Sequence, residues 1–74
     1  MSQHQLASMI EMVNQIAANI TSGESQEQVA EKVSVHLKRF WSRGMKEQIF
    51  AYLEADGSEL SPAAKASLER LKTL

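Results

Sequence analysis

The sequence predicts an all-α protein, a small bundle of about four short helices. Apolar residues recur at intervals of three and four along most of the 74 residues, which is the period of an amphipathic helix. No segment alternates apolar and polar residues as a half-buried strand does. The three glycines and the single proline stand between the periodic segments, where helices end and begin. This length has room for one domain, which we place at residues 1–74.

The first helix is predicted from about Gln3 to Thr21. Its apolar stripe faces one side and consists of Leu6, Met9, Ile10, Val13, Ile16, Ala17 and Ile20. Met12 lies beside this stripe and widens it beyond what a small bundle needs, which favours a partner on this face. Gly23 permits the left-handed conformation that ends a helix.

The second helix is predicted to begin at Ser25, because Gln28 follows three residues later and completes a capping-box pattern. Its predicted stripe is Val29, Val33, His36, Leu37 and Phe40. We therefore expect His36, Leu37 and Phe40 to face the core. A histidine in such a stripe is expected to be partly buried and to donate to a backbone carbonyl, with pH sensing or partner contact as the alternatives.

A break at Ser42-Arg43-Gly44 is predicted to separate this helix from a third, which spans roughly Met45 to Ala55 and is ended by Asp56-Gly57. The apolar residues of the third helix are Met45, Ile49, Tyr52 and Leu53. Trp41 and Phe50 stand at the margins of their stripes, where each ring either covers the core or projects into a partner.

The fourth helix is predicted to begin at Ser61-Pro62. Serine caps the helix. Proline suits the first turn because the N–H groups of that turn make no hydrogen bond within the helix, so the N–H that proline lacks is not needed there. Leu60 is placed for a hydrophobic staple. The stripe of this helix is Ala64, Leu68 and Leu71.

Catalytic and metal sites are not suggested by the residue types and their spacing. Cysteine is absent, the glycines stand singly, and His4 and His36 lie on different segments. Glu27 and Glu31 are four residues apart, but no histidine stands at metal-ligand spacing from them, so they are expected to be solvated. We predict that the chain is not an enzyme and has no cofactor of its own.

The location predicted for the protein is cytoplasmic. Residues 1–5 lack the basic and apolar pattern of a signal peptide. No apolar run approaches the roughly 20 residues that span a bilayer, and the absence of cysteine fits a reducing compartment.

The centre of the chain concentrates aromatic and basic residues. Net charge is −1, yet the sequence from Lys32 to Met45 has four cations and no acid. Val35 points away from the predicted stripe, between Lys32 and Arg39. It is either an isolated exposed valine or the apolar centre of a basic face that docks on an acidic partner groove. The candidate partner-binding residues are Lys32, Val35, Lys38, Arg39, Trp41 and Arg43.

Three segments carry a family resemblance in their order and spacing. They are Met12-Val13-Asn14-Gln15-Ile16-Ala17, then His36-Leu37-Lys38-Arg39-Phe40-Trp41 with Met45, and finally Leu60-Ser61-Pro62. Together they resemble the small delta subunit of cytosolic NAD-dependent formate dehydrogenases, which are multi-subunit molybdenum or tungsten enzymes. The similarity extends from about Leu6 to Leu71. The chain departs from the family pattern at Ser42-Arg43-Gly44, where members commonly have Asp-Pro-Arg, and at Asp56-Gly57-Ser58, where they have a more glycine-rich turn.

The resemblance implies a noncatalytic accessory subunit. The alpha subunit would hold the pterin-bound metal and iron–sulfur clusters, and the beta and gamma subunits would handle NAD and electrons. The delta subunit would bind this complex, in the first place its catalytic alpha subunit, and support its maturation or stability.

Two other functions remain open from the residues alone. The first is a nucleic-acid-binding regulator that uses Lys32, Lys38, Arg39, Arg43 and Lys46. The exposed residues of the predicted third helix include two glutamates, which makes a poor recognition helix. The second is a self-associating module, possible as a homodimer, in which a second copy covers the excess apolar face.

Overall fold

A computed structural model describes residues 2–20 and 23–74, with the side chains of residues 5–20 and 23–74. The described residues form four helices and no strand: α1 (Ser2–Ile20), α2 (Gln26–Phe40), α3 (Arg43–Ala55) and α4 (Pro62–Lys72). The all-α prediction is therefore confirmed. The predicted end of α1 at Thr21 and the side chain of His4 lie outside the described residues. No helix in the described ranges is long and apolar enough to cross a membrane.

The caps predicted for α2 and α4 are present. The Ser25 hydroxyl accepts from the backbone N–H of Gln28 at 3.2 Å, and the Gln28 side chain accepts from the Ser25 N–H at 3.2 Å. The Ser61 hydroxyl accepts from the N–H of Ala64 at 3.1 Å, with Pro62 in the first turn. These bonds satisfy N–H groups that have no partner within their own helix.

The start of α3 differs from the prediction. The helix begins at Arg43, two residues before Met45, so the break between α2 and α3 is only Trp41 and Ser42. Ser42 adopts an extended conformation and its hydroxyl accepts from the N–H of Met45 at 3.2 Å. Because this serine caps the helix, Gly44 lies within the first turn.

One core joins the four helices. The predicted stripes of α1, α3 and α4 are confirmed as buried or partly buried residues packed on this core, and Phe50 also packs against it. The most extensive contact between helices is that of α2 with α4. Short side chains are buried on both of these helices: Ala30 and Ser34 on α2, and Ala64 and Ser67 on α4. Short side chains allow two helix axes to approach closely.

The predicted stripe of α2 is confirmed in part, because Val29, Val33 and Leu37 are buried in the core. Phe40 is 68% exposed and His36 is also exposed, whereas Trp41 is only 7% exposed. The expectation that His36 and Phe40 face the core was therefore wrong. Ala30 and Ser34, which the predicted stripe leaves out, are buried as well. Phe40 is the last residue of α2, where its ring lies at the surface, while the ring of Trp41, the residue after it, joins the core.

Candidate docking surface on the second helix

One side of α2 carries exposed residues along most of the helix. We call it the outer face of α2 and define it as Lys32, Val35, His36, Arg39 and Phe40, all of which are exposed. Their spacing of three and four residues places them side by side along the helix. Val35 is 43% exposed and Phe40 is 68% exposed, so two large apolar side chains lie in water here.

The Phe40 ring contacts its neighbours in the stripe. Its centroid lies 4.7 Å from that of the His36 ring, and the two planes are tilted by 39°. The Arg39 guanidinium carbon lies 5.9 Å from the same centroid, within the range of a cation–π contact. Both contacts place neighbouring side chains of the stripe against the Phe40 ring at the C-terminal end of α2.

Positive charge near Phe40 is not neutralised within the described part of the chain. Lys32 forms an ion pair with Glu24, and Arg43 pairs with Glu47 at 3.4 Å. By contrast, no described carboxylate lies within ion-pair distance of Lys38 or Arg39. The charge of Arg39 is therefore available beside the exposed ring, and that of Lys38 lies on another side of the same end of α2.

The N-terminal half of α2 has a different character. A shallow surface depression there is lined by Gln28, Glu31, Lys32 and Val35. Glu27 is also exposed on this half. The helix surface thus changes from mixed charge near its start to basic and aromatic near its end.

The predicted partner-binding residues fall into three groups. Lys32, Val35, Lys38 and Arg39 are exposed on α2, as predicted. Arg43 is exposed at the first position of α3. Trp41 lies in the core, so the alternative in which its ring projects outward does not hold in this structure.

Two exposed residues of the stripe were missing from that set. His36 and Phe40 had been assigned to the core because they are apolar or aromatic at helical spacing from Val29 and Val33. Helical spacing does not identify them, because Phe40 also stands seven residues after the buried Val33 and three after the buried Leu37.

Metal-ligating side chains do not converge in the parts of the chain that the structure describes. No group of three or more histidine, cysteine, aspartate or glutamate residues is placed there to hold a metal ion. The hydroxyls of Ser34 and Ser67, both buried, donate to the backbone carbonyls of Glu31 and Ala63 at 2.8 and 2.7 Å. Their hydroxyls therefore satisfy helix carbonyls.

Comparison with known proteins identifies one family. The family model of the NADH-dependent formate dehydrogenase delta subunit FdsD matches residues 8–68. No curated protein and no solved structure matches the chain. The matched range contains α2 and α3 in full, with most of α1 and α4. The chain therefore belongs to the family of NADH-dependent formate dehydrogenase delta subunits.

Proposed function

We propose that this chain is a noncatalytic accessory subunit of an NAD-dependent formate dehydrogenase complex in the cytoplasm. It acts by protein–protein contact with the catalytic alpha subunit and supports the maturation or stability of the complex. Membership of the delta-subunit family supports formate dehydrogenase as the complex in question. The observation that carries the mode of action is the exposed Phe40 ring, in contact with His36 and Arg39 on a helix face that no other helix covers.

A noncatalytic role is supported by how the chain uses its polar side chains. Ser25, Ser42 and Ser61 cap helices, and the hydroxyls of Ser34 and Ser67 bind backbone carbonyls. A nucleophile must instead have its hydroxyl free to reach substrate and near a general base. The hydroxyls of these serines are therefore engaged in hydrogen bonds that stabilise the helices.

A surface role is supported by the position of the large apolar side chains. A small domain gains stability by burying phenylalanine, yet Phe40 is 68% exposed while the adjacent Trp41 is buried. Aromatic residues and arginines are the residue types most enriched at protein interfaces. The outer face of α2 presents both, which suits it to a partner protein.

Loss of the chain tests this function. We expect a tagged copy to co-elute with the formate dehydrogenase subunits, and deletion of its gene to reduce NAD-linked formate oxidation. Re-expression of the full chain should restore that activity. Immunoblots of the alpha subunit and its metal content would show whether the loss is one of assembly. If the chain never co-elutes and deletion leaves formate oxidation unchanged, the proposal is wrong.

A further inference from the structure

We propose that Phe40 and Arg39 form the anchor of the interface, with Lys38 on the next side of α2, and that they dock on an acidic protein surface that has an apolar socket for the Phe40 ring. This inference rests on the proposed function, because it specifies the chemistry of the partner surface in the same complex. The C-terminal half of α2 lies at the centre of this proposed interface, and the N-terminal half lies at its rim.

The Phe40 ring has the properties of an interface anchor. It is the most exposed of the large hydrophobic side chains that the structure describes. Its centroid lies 4.7 Å from that of the His36 ring. Burial of its exposed apolar surface in a socket of the partner would contribute favourably to binding.

The charges around the ring select an acidic partner. Lys38 and Arg39 have no carboxylate within ion-pair distance in the described ranges, so their charges are available to carboxylates of another molecule. The glutamates of α2, Glu27 and Glu31, lie toward its other end. An acidic surface is therefore attracted to the C-terminal end of α2 and repelled from the end that carries these glutamates.

A second copy of the chain fits this surface poorly. A two-fold interface brings the same patch of both copies together, so the basic side chains of one copy would lie near those of the other. Nucleic acid also fits less well than an acidic protein. Two of the neighbouring cations, Lys32 and Arg43, are already paired with glutamates, and the central side chain is an apolar ring.

The test is the affinity of full-length variants for formate dehydrogenase purified from cells that lack the chain. We expect Phe40→Ala to weaken binding at least about 30-fold, as loss of an interface hot spot does. Arg39→Glu should weaken it at least about tenfold, and wild-type binding should weaken as salt is raised. Circular dichroism checks that each variant is folded.

Two control variants match these substitutions elsewhere on the surface. Leu74→Ala removes an apolar side chain that is 50% exposed at the last residue. Lys65→Glu reverses an exposed charge in α4. Both should bind within about twofold of wild type. If Phe40→Ala and Arg39→Glu bind as these controls do while wild type binds tightly, the inference is wrong and the accessory role stands.

The other outcomes are equally decisive. If the wild-type chain does not bind the enzyme, the proposed function fails, and this inference fails with it. A self-associated chain that Phe40→Ala converts to monomer would assign the surface to a second copy instead. Salt-sensitive binding of duplex DNA or single-stranded RNA that Arg39→Glu abolishes would assign it to nucleic acid. Either result overturns the acidic protein partner.

Discussion

The side-chain oxygen of Asn14 accepts a hydrogen bond from the backbone N–H of Ser61 at 2.9 Å. The amide nitrogen of the same side chain donates to the carbonyl of Glu59, also at 2.9 Å. One residue of α1 therefore binds the connection that leads into α4, and the hydroxyl of Tyr52 on α3 accepts from the N–H of Glu59 at 2.9 Å. This arrangement connects the first and last of the three segments that carry the family resemblance.

Asn14→Ala should destabilise the fold by about 1 kcal/mol or more, because the Ser61 N–H and the Glu59 carbonyl both lose their partner. The measurement is urea unfolding followed by circular dichroism. Gln15→Ala, at the exposed neighbouring position, is the control and should stay within about 0.5 kcal/mol of wild type. Equal stability of the two variants would show that the Asn14 bonds contribute nothing to the fold.

Phe40 and Trp41 should respond oppositely to alanine substitution. Trp41→Ala removes a ring that is 7% exposed and should lower the free energy of unfolding by about 3–5 kcal/mol. Phe40→Ala should change it by no more than about 0.5 kcal/mol, since its ring is mostly in water. Thermal and urea unfolding of both variants check this. A greater loss of stability from Phe40→Ala than from Trp41→Ala would contradict the burial described for the two rings.

Substitution by alanine should have opposite effects on the stability of the protein at Gly44 and at Gly57. Gly44 lies in the first turn of α3, and an added Cβ would meet no atom within 4 Å. Gly44→Ala should therefore stabilise the protein by about 0.4–1 kcal/mol, through fewer conformations of the unfolded chain. Gly57 has a φ of +68°, and a Cβ there would lie 3.1 Å from the carbonyl oxygen of Leu53.

Gly57→Ala should consequently destabilise the protein by more than about 1 kcal/mol. Melting temperatures of the two variants give the comparison. A stabilising effect at Gly57, or a destabilising one at Gly44, would be inconsistent with the backbone described for these positions.

An ion pair between α3 and α4 should make stability depend on pH. The Lys72 ammonium donates to Glu54 at 2.9 Å, and this hydrogen bond lowers the pKa of Glu54 and raises the pKa of Lys72 from their ordinary values. The Glu54 contribution is present above its unfolded pKa and is lost as the pH falls through the lower folded pKa. The Lys72 contribution is lost as the pH rises through its raised folded pKa.

Glu54→Gln should therefore be slightly less stable than wild type at neutral pH, and the difference should vanish at both extremes. Because the pair lies on the surface, the difference should also shrink at high salt. Unfolding curves across pH at low and high salt measure it. A difference that persists unchanged below the folded pKa of Glu54 would exclude this ion pair as its cause.

Much of the fold follows from local sequence signals. The starts of α2 and α4 are predictable from Ser25 with Gln28 and from Ser61 with Pro62. Serine is favoured at the N-cap of a helix and proline in its first turn. Gly23 and Gly57 have positive φ values of 74° and 68°, which glycine tolerates without strain.

The orientation of α2 could not be derived in the same way. The predicted stripe of α2 leaves out Ala30 and Ser34, which are buried, and includes His36 and Phe40, which are exposed. Phe40 stands seven residues after the buried Val33, so its spacing predicts a place in the core and gives no sign of its exposure at the last residue of the helix. The outward positions of Lys38 and Arg39 were predictable because charged side chains avoid a core.

Photo-crosslinking from position 40 tests the central claim most directly. Phe40 would be replaced by the photoreactive analogue benzoylphenylalanine in the full chain, with Leu74 replaced in the same way as the control, and each would be irradiated within the assembled formate dehydrogenase. We predict a crosslink from position 40 to the alpha subunit and none to it from position 74. Crosslinking from position 74 alone, or from position 40 only to another copy of this chain, would contradict the account.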